Sequence, residues 1–268
     1  MNFRINPEPA FIPCKQIGPS PKPGIRLAVQ LLDCRITPWQ PRYIRMKLQP
    51  EMILIDVDGT LVDSVPDLAY CVDETMHRLG LPARGEAAVR LWVGNGVQRL
   101  VERALVNDLE GVPEPALLER ALPVFMALYA ENTSLRSRLY PGVQEGLDYL
   151  RTLTHIRLGC VTNKAGQFTL PLLDSLGLRS CFEIVICGDT LAEKKPHPMP
   201  LLHACEQLDT RAENSLMLGD SRSDVKAARS AGFHVFCMRY GYNHGEDIRD
   251  CKPDAVLDSM AELRGLIR

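Results

Sequence analysis

The 268-residue chain lacks most of the features that would take it out of the ordinary globular class. It has no apolar run near the ~18 residues of a membrane-spanning helix, so no membrane partner is expected. Its net charge is only -2, from 31 Lys/Arg and 33 Asp/Glu, which leaves no global field for nucleic acid or anionic lipid. None of its nine cysteines forms a Cys-x-x-Cys pair, and the six histidines supply no short-spaced Cys/His cluster, which argues against a zinc site. Cys160, Cys187 and Cys237 lie inside apolar runs and read as small buried hydrophobes of a reducing compartment. Arg4 and Lys15 are followed by no uninterrupted apolar stretch of about 7–15 residues. No secretory signal is therefore expected, and the expected location is cytoplasmic.

What is present is a core-forming composition with an uneven distribution. At 46% hydrophobic and 24% charged residues, the chain can bury a sizeable interior. Residues 1–50 hold eight Lys/Arg, two Asp/Glu and nine of the 20 prolines, whereas the other 218 residues hold 23 basic and 31 acidic side chains. Proline removes backbone donors and blocks helix, so residues 1–24 are expected to be extended or poorly ordered, with a possible strand over 25–36. Met46 lies just before the first convincing strand. Residues 1–45 are thus either a true extension or upstream of the usual start.

From residue 52 the pattern alternates. Short apolar runs over 52–57, 157–162, 184–187, 215–218, 234–238 and 255–257 read as strands. Helical periodicity follows over 66–79, 86–92, 95–108 and 114–131, and again between the later strands. Alternating strands and helices indicate a parallel sheet of the α/β class, and the all-helical stretch after the first strand reads as an inserted subdomain. In such a sheet ligands bind beyond the carboxyl ends of the strands.

Polar residues gather there. Asp56 and Asp58 follow the first strand, Thr162, Asn163 and Lys164 the second, and Asp220 and Asp224 the fourth; Lys195 lies in the loop after the third. An Asp at a strand end is often only a turn residue or a helix N-cap. The block is harder to dismiss, because Asp-x-Asp-Gly-Thr arises by chance at about 1 in 10^5 positions. Carboxylates at i and i+2 repel unless a cation or proton intervenes. Four acids converging at strand ends point to a hard divalent cation such as Mg²⁺, which takes carboxylates, waters and phosphate oxygens. The hydroxyl, amide and ammonium groups opposite them suit an anion, and together the two sets suit phosphoryl transfer.

Four stretches carry a resemblance. ILIDVDGTLVDS at 53–64, VTN at 161–163, KKPHP at 194–198 and LGDSRSD at 218–224 are similar, in order, to the four motifs of the haloacid dehalogenase superfamily of phosphatases. The likeness covers about residues 50–268 and implies a Rossmann-like parallel-sheet core, 46–64 and 140–268, with a helical cap over 65–139. It implies that Asp56 is the nucleophile that becomes phosphorylated and Asp58 the general acid and base. Thr162 and Asn163 would bind the phosphoryl group, and Lys195 would neutralise charge between nucleophile and phosphate. Mg²⁺ would be held by Asp56, the backbone carbonyl of Asp58 and Asp220, with Asp224 supporting the site. The cap would exclude water, hinged near Ser64 and at Tyr140-Pro141-Gly142. Its turn Trp92–Gly96 would offer Asn95 to the substrate, and Arg99 would reach a second anionic group. The stretches DVDGTLVDSVPDLAYCVDE, WVGNGVQRLVERAL and KKPHPMPLLHACE most resemble the bacterial phosphoglycolate phosphatase branch, which implies hydrolysis of 2-phosphoglycolate.

The rivals are a sugar-phosphate phosphatase or phosphomutase of the same superfamily, a phosphoacceptor signalling domain, and an inactive binding module. Asp58 argues against a dehalogenase, which has no leaving oxygen to protonate. The long helical insert argues against a signalling domain. The expected partner is a small phosphorylated substrate, and the expected state a monomer or homodimer.

Overall fold

A computed structural model describes residues 47–268. The expectations for 1–24 and 25–36 fall outside these residues. Six parallel strands form the central sheet: β1 (Met52–Ile55), β4 (Arg157–Val161), β5 (Ile184–Ile186), β6 (Ser215–Gly219), β7 (His234–Met238) and β8 (Ala255–Leu257). Their order is β5-β4-β1-β6-β7-β8. β1 is therefore central, with β4 and β6 on its two sides. The chain fills one side of β1 before the other, which puts a crevice at the carboxyl end of β1.

Both faces of the sheet are covered, which is why β1 reads as an unbroken apolar run. Ile53 and Ile55 pack with Val143, Leu147 and Leu150 of α5 (Val143–Thr152). Met52 and Leu54 pack on the opposite face with Leu201 and Ala204 of α7 (Met199–Leu208) and Val225 and Ala228 of α8 (Arg222–Ala231). All four β1 side chains are fully buried. The same alternation runs along β6 and β7, so each strand is shared between two cores.

Between β1 and β4 the chain leaves the sheet. Four helices, α1 (Val65–Arg78), α2 (Glu86–Trp92), α3 (Val97–Val106) and α4 (Pro115–Glu131), lie within two residues of the periodic segments. They bury a core of their own, which also takes Phe168 of α6 (Gly166–Ser175) and Tyr242 from the main body. Tyr129 is central to this seam, 5.6 Å from the Phe125 ring and 4.7 Å from the Phe168 ring.

One element had no counterpart in the sequence pattern. β2 (Val62–Asp63) pairs antiparallel with β3 (Arg138–Leu139), closing the helical insert at its base. Two-residue strands are too short for periodicity to reveal. Their return limb is held by Asp67, a fully buried carboxylate in the first turn of α1. It accepts from Arg136 N at 2.9 Å, Ser137 N at 2.8 Å and Ser137 Oγ at 2.7 Å. Asp67→Asn replaces one acceptor oxygen by an NH₂ facing those donors. We expect a loss of about 2–3 kcal/mol in urea unfolding; a loss below about 0.5 kcal/mol would show that the limb is held otherwise.

The described cysteines are free thiols, and Cys71, Cys160, Cys187, Cys205 and Cys237 are buried. Burial pushes the Cys160 and Cys237 thiols well up, so they are inert packing groups. No helix among the described residues is long and apolar enough to cross a membrane.

Candidate active site

The chain turns sharply after β1. Thr60, Leu61 and Val62 all donate their N–H to the Val57 carbonyl, at 3.3, 3.0 and 2.9 Å. Gly59 makes this turn at φ +85, and a Cβ there would lie 2.3 Å from Asp220 Oδ2. Glycine is thus required twice, for its backbone angle and for the close approach. Asp56, just before the turn, meets Lys195 from the loop after β5 and Asp220 and Asp224 from beyond β6.

Asp56, Asp220 and Asp224 each bring a carboxylate oxygen within 4.8 Å of the others. Burial, with Asp224 and Asp58 as further negative neighbours, pushes the Asp56 carboxyl up to about 6 although Lys195 opposes it. Burial and the carboxylates of Asp224 and Asp56 raise Asp220 well above its ordinary value. Asp220 nonetheless accepts from Thr60 Oγ1 at 2.8 Å and Tyr242 N at 2.6 Å, so its position is held. A buried carboxylate fixed beside two others, and not neutralised by its own hydrogen bonds, is a hard oxygen site that fits a divalent cation.

Asp224 serves two masters. Burial alone would raise its carboxyl, but Lys195 and the Ser221 hydroxyl outweigh this and hold it low. Its Oδ2 accepts from Asp220 N, Ser221 N and Ser221 Oγ, at 3.2, 3.0 and 2.7 Å, completing the capping box of α8. Its Oδ1 accepts from Lys195 Nζ at 2.7 Å. Asp224 is thus not itself the N-cap, which is Ser221, but the N3 residue that closes its capping box.

Lys195 is 2% exposed, and its ammonium reaches Asp224, Asp56 Oδ2 at 3.0 Å and the Val161 carbonyl at 2.7 Å. Burial works against the charge, but the two carboxylates prevail and hold it protonated. Thr162 lies 4% exposed at the end of β4 on the same cleft.

The cleft encloses about 580 Å³, including solvent at its mouth. Acids and lysines line its base; Leu68, Val93, Val97, Leu100 and Tyr129 line the insert side. Asp58 is also at the base, but its side chain stands apart from the three-carboxylate group. It accepts from the Ser64 hydroxyl and pairs with Lys164 Nζ at 2.9 and 3.1 Å.

Three sequence expectations meet a different geometry. Asn163 Nδ2 donates to the Gly94 carbonyl at 3.2 Å and the Lys195 carbonyl at 2.9 Å. Its side-chain donors tie the insert to the main body rather than point at an anion. Asn95 Oδ1 accepts from Arg103 at 2.9 Å, and Asn95 lies outside the main cleft lining. Arg99 is spent on the α3–α4 loop, at 3.1 Å from both the Leu109 and Gly111 carbonyls and 3.0 Å from Glu102. Spacing placed Arg99 one turn beyond Gly96, but the loop carbonyls captured it first.

Other contributors were not assigned roles from sequence. Thr60 was legible as part of the Asp-Gly-Thr run. Lys164 was visible only as the neighbour of Asn163, and Tyr129 only as one apolar position of α4. Tyr242 follows β7 with no motif to mark it.

The chain matches the haloacid dehalogenase-like hydrolase family over residues 53–238. It belongs to that family. A phosphoglycolate phosphatase of Nitrosococcus oceani is 63% identical over 222 residues, 83% of this chain and 98% of that one. One from Nitrosospira multiformis is 45% identical, over 81% and 95% of the two chains. A solved structure from Haemophilus somnus, itself a predicted phosphoglycolate phosphatase, superposes with a TM-score of 0.76 at 35% identity, covering 81% of this hydrolase and 97% of its own chain. The hydrolase is an enzyme, a phosphatase, and its Rossmann-like α/β class is the one expected from sequence.

Proposed function

We propose that this hydrolase cleaves 2-phosphoglycolate to glycolate and phosphate, with Mg²⁺ and through a phosphorylated Asp56. The observation that carries the reading is the three-carboxylate group facing Lys195 and Thr162 beneath an apolar roof. The names of the relatives supply the substrate. Asp56, Asp220 and the backbone carbonyl of Asp58 would hold the ion, which supplies positive charge against the repulsion between nucleophile and phosphate.

The residues of the chain then divide the work. Asp56 attacks phosphorus as the ester P–O bond breaks, and Asp58 gives its proton to the departing glycolate oxygen. Asp58 next takes a proton from water, whose oxygen attacks phosphorus and breaks the bond to Asp56. Lys195, held by Asp224, keeps the Asp56 oxygen aimed and ionised. The Thr162 hydroxyl binds phosphoryl oxygens. The helices over 65–139 form a cap whose apolar side chains exclude water. The extension 1–45 takes no part in this chemistry, and the enzyme works in the cytoplasm as a monomer or homodimer. Comparing kcat/KM for 2-phosphoglycolate with a panel of sugar phosphates, with Mg²⁺ or EDTA, tests the reading. A sugar phosphate preferred over phosphoglycolate, or full turnover in EDTA, would overturn it.

The acid group also predicts a pH signature. The folded pKa of Asp56 lies near about 6, above its ordinary 3.8, and that of Asp220 is also raised. The folded state therefore binds more protons than the unfolded one in this window, and metal-free stability falls as pH rises from 3.8 through about 6. A cation bound to the ionised carboxylates reverses this loss. We expect Mg²⁺ to raise the Tm more at about pH 7.5 than at about pH 5. Equal gains at both would remove these carboxylates from the metal site.

A further inference from the structure

The proposed substrate carries a second anion, and the obvious cap cations do not meet it. Arg99 is tied to loop carbonyls, and Arg103 to Trp92 O, Asn95 Oδ1 and Leu109 O. Neither lines the cleft. Of the two lysines that do, Lys195 directs its ammonium to three acceptors: two carboxylates and one carbonyl. An ammonium has three donors, so Lys195 is saturated.

Lys164 is different. It is 6% exposed, and its hydrogen bonds both go to one carboxylate, Asp58. Its ammonium also lies over the Tyr129 ring, 4.9 Å from the centroid. Tyr129 lines the cleft, and its buried hydroxyl has no hydrogen-bond partner among the described residues. A buried hydroxyl without a partner costs stability unless a ligand completes it. The loop from β4 thus carries Thr162 and, two residues on, an ammonium that gives both its hydrogen bonds to Asp58 and lies next to the buried Tyr129 hydroxyl.

We propose that Lys164 and the Tyr129 hydroxyl together recognise the carboxylate of a short phosphorylated hydroxy acid. This rests on the phosphoglycolate reading and names the residues that make it specific. Lys164 comes from the main body and Tyr129 from the cap, so the carboxylate is gripped only when the two parts are together. Thr162 and Lys164 are two residues apart on one loop and both line the cleft, which suits a short substrate with an anion at each end. A neutral tail would leave the Tyr129 hydroxyl and the third lysine donor unpaired, which is how polar sites reject analogues.

The test compares 2-phosphoglycolate with 2-hydroxyethyl phosphate, which replaces the carboxylate by a hydroxymethyl group. In Lys164→Met, kcat should fall modestly for both, because Asp58 loses its partner. In addition, KM for phosphoglycolate alone should rise about 100-fold, collapsing the preference. Tyr129→Phe keeps the packed ring and should raise KM for phosphoglycolate about tenfold, with a smaller effect on the neutral ester; it decides the matter if the lysine variant does not fold. Lys164→Arg should restore part of the preference that Met removes. If both substrates lose the same factor in either variant, the two residues act only on Asp58 or on packing, and the proposal falls. A wild type with no preference for phosphoglycolate would instead overturn the substrate reading.

Discussion

Asp56→Asn should lower kcat at least ~10^4-fold while the protein becomes more stable in the absence of metal. The first effect follows from removing the attacking oxygen. The second follows from its surroundings: burial, Asp224 and Asp58 make the ionised Asp56 unfavourable despite Lys195. An amide at this position carries no charge to bury. Metal-free Tm at about pH 7.5 should therefore rise, and added Mg²⁺ should raise it less than in the wild type, since a ligand oxygen is gone. Phosphate release and thermal unfolding read the two effects separately. Activity within tenfold of wild type would remove Asp56 from the nucleophile's role, and a large drop in metal-free Tm would show that its pairing with Lys195 dominates.

Lys195→Met should be the most destabilising single change in the cleft. The side chain keeps nearly the same length but leaves Asp56 and Asp224 buried beside each other without their shared cation. Breaking a buried pair in this way costs about 3–5 kcal/mol. For a chain of this size each kcal/mol shifts Tm by about 2–4 °C, so a fall of about 6–20 °C is expected. Asp56→Asn in the same chain should recover part of it, because one uncompensated charge is removed. A Tm unchanged by Lys195→Met, or no recovery in the double variant, would mean that the three groups are not coupled as the distances imply. Activity should be lost in both variants.

The strands were legible because a parallel sheet covered on both faces makes each strand an apolar run, and β1, β6 and β7 are such runs. The helices of the insert were legible from periodicity, to within two residues. β2 and β3 were not, since a two-residue ribbon is formed by pairing across some 75 residues of chain and leaves no local pattern. In the site, the acids stood out because several carboxylates at strand ends are costly without a reason to be there. Arg99 and Asn95 looked available because spacing shows the face of a helix but not which carbonyl or guanidinium will claim the side chain.

The amino-acid sequence by itself determined the class of fold, the order of its elements and the positions where acids and lysines cluster, because periodicity and strand-end chemistry are local properties. Only the tertiary structure decided how those groups are paired. It joined Lys195 to Asp56 and Asp224 and set Lys164 against Asp58 and Tyr129. It also spent the Asn163 amide on the Gly94 and Lys195 carbonyls. Each of these contacts spans at least 29 residues of chain and depends on competition among donors and acceptors that meet only in the folded state.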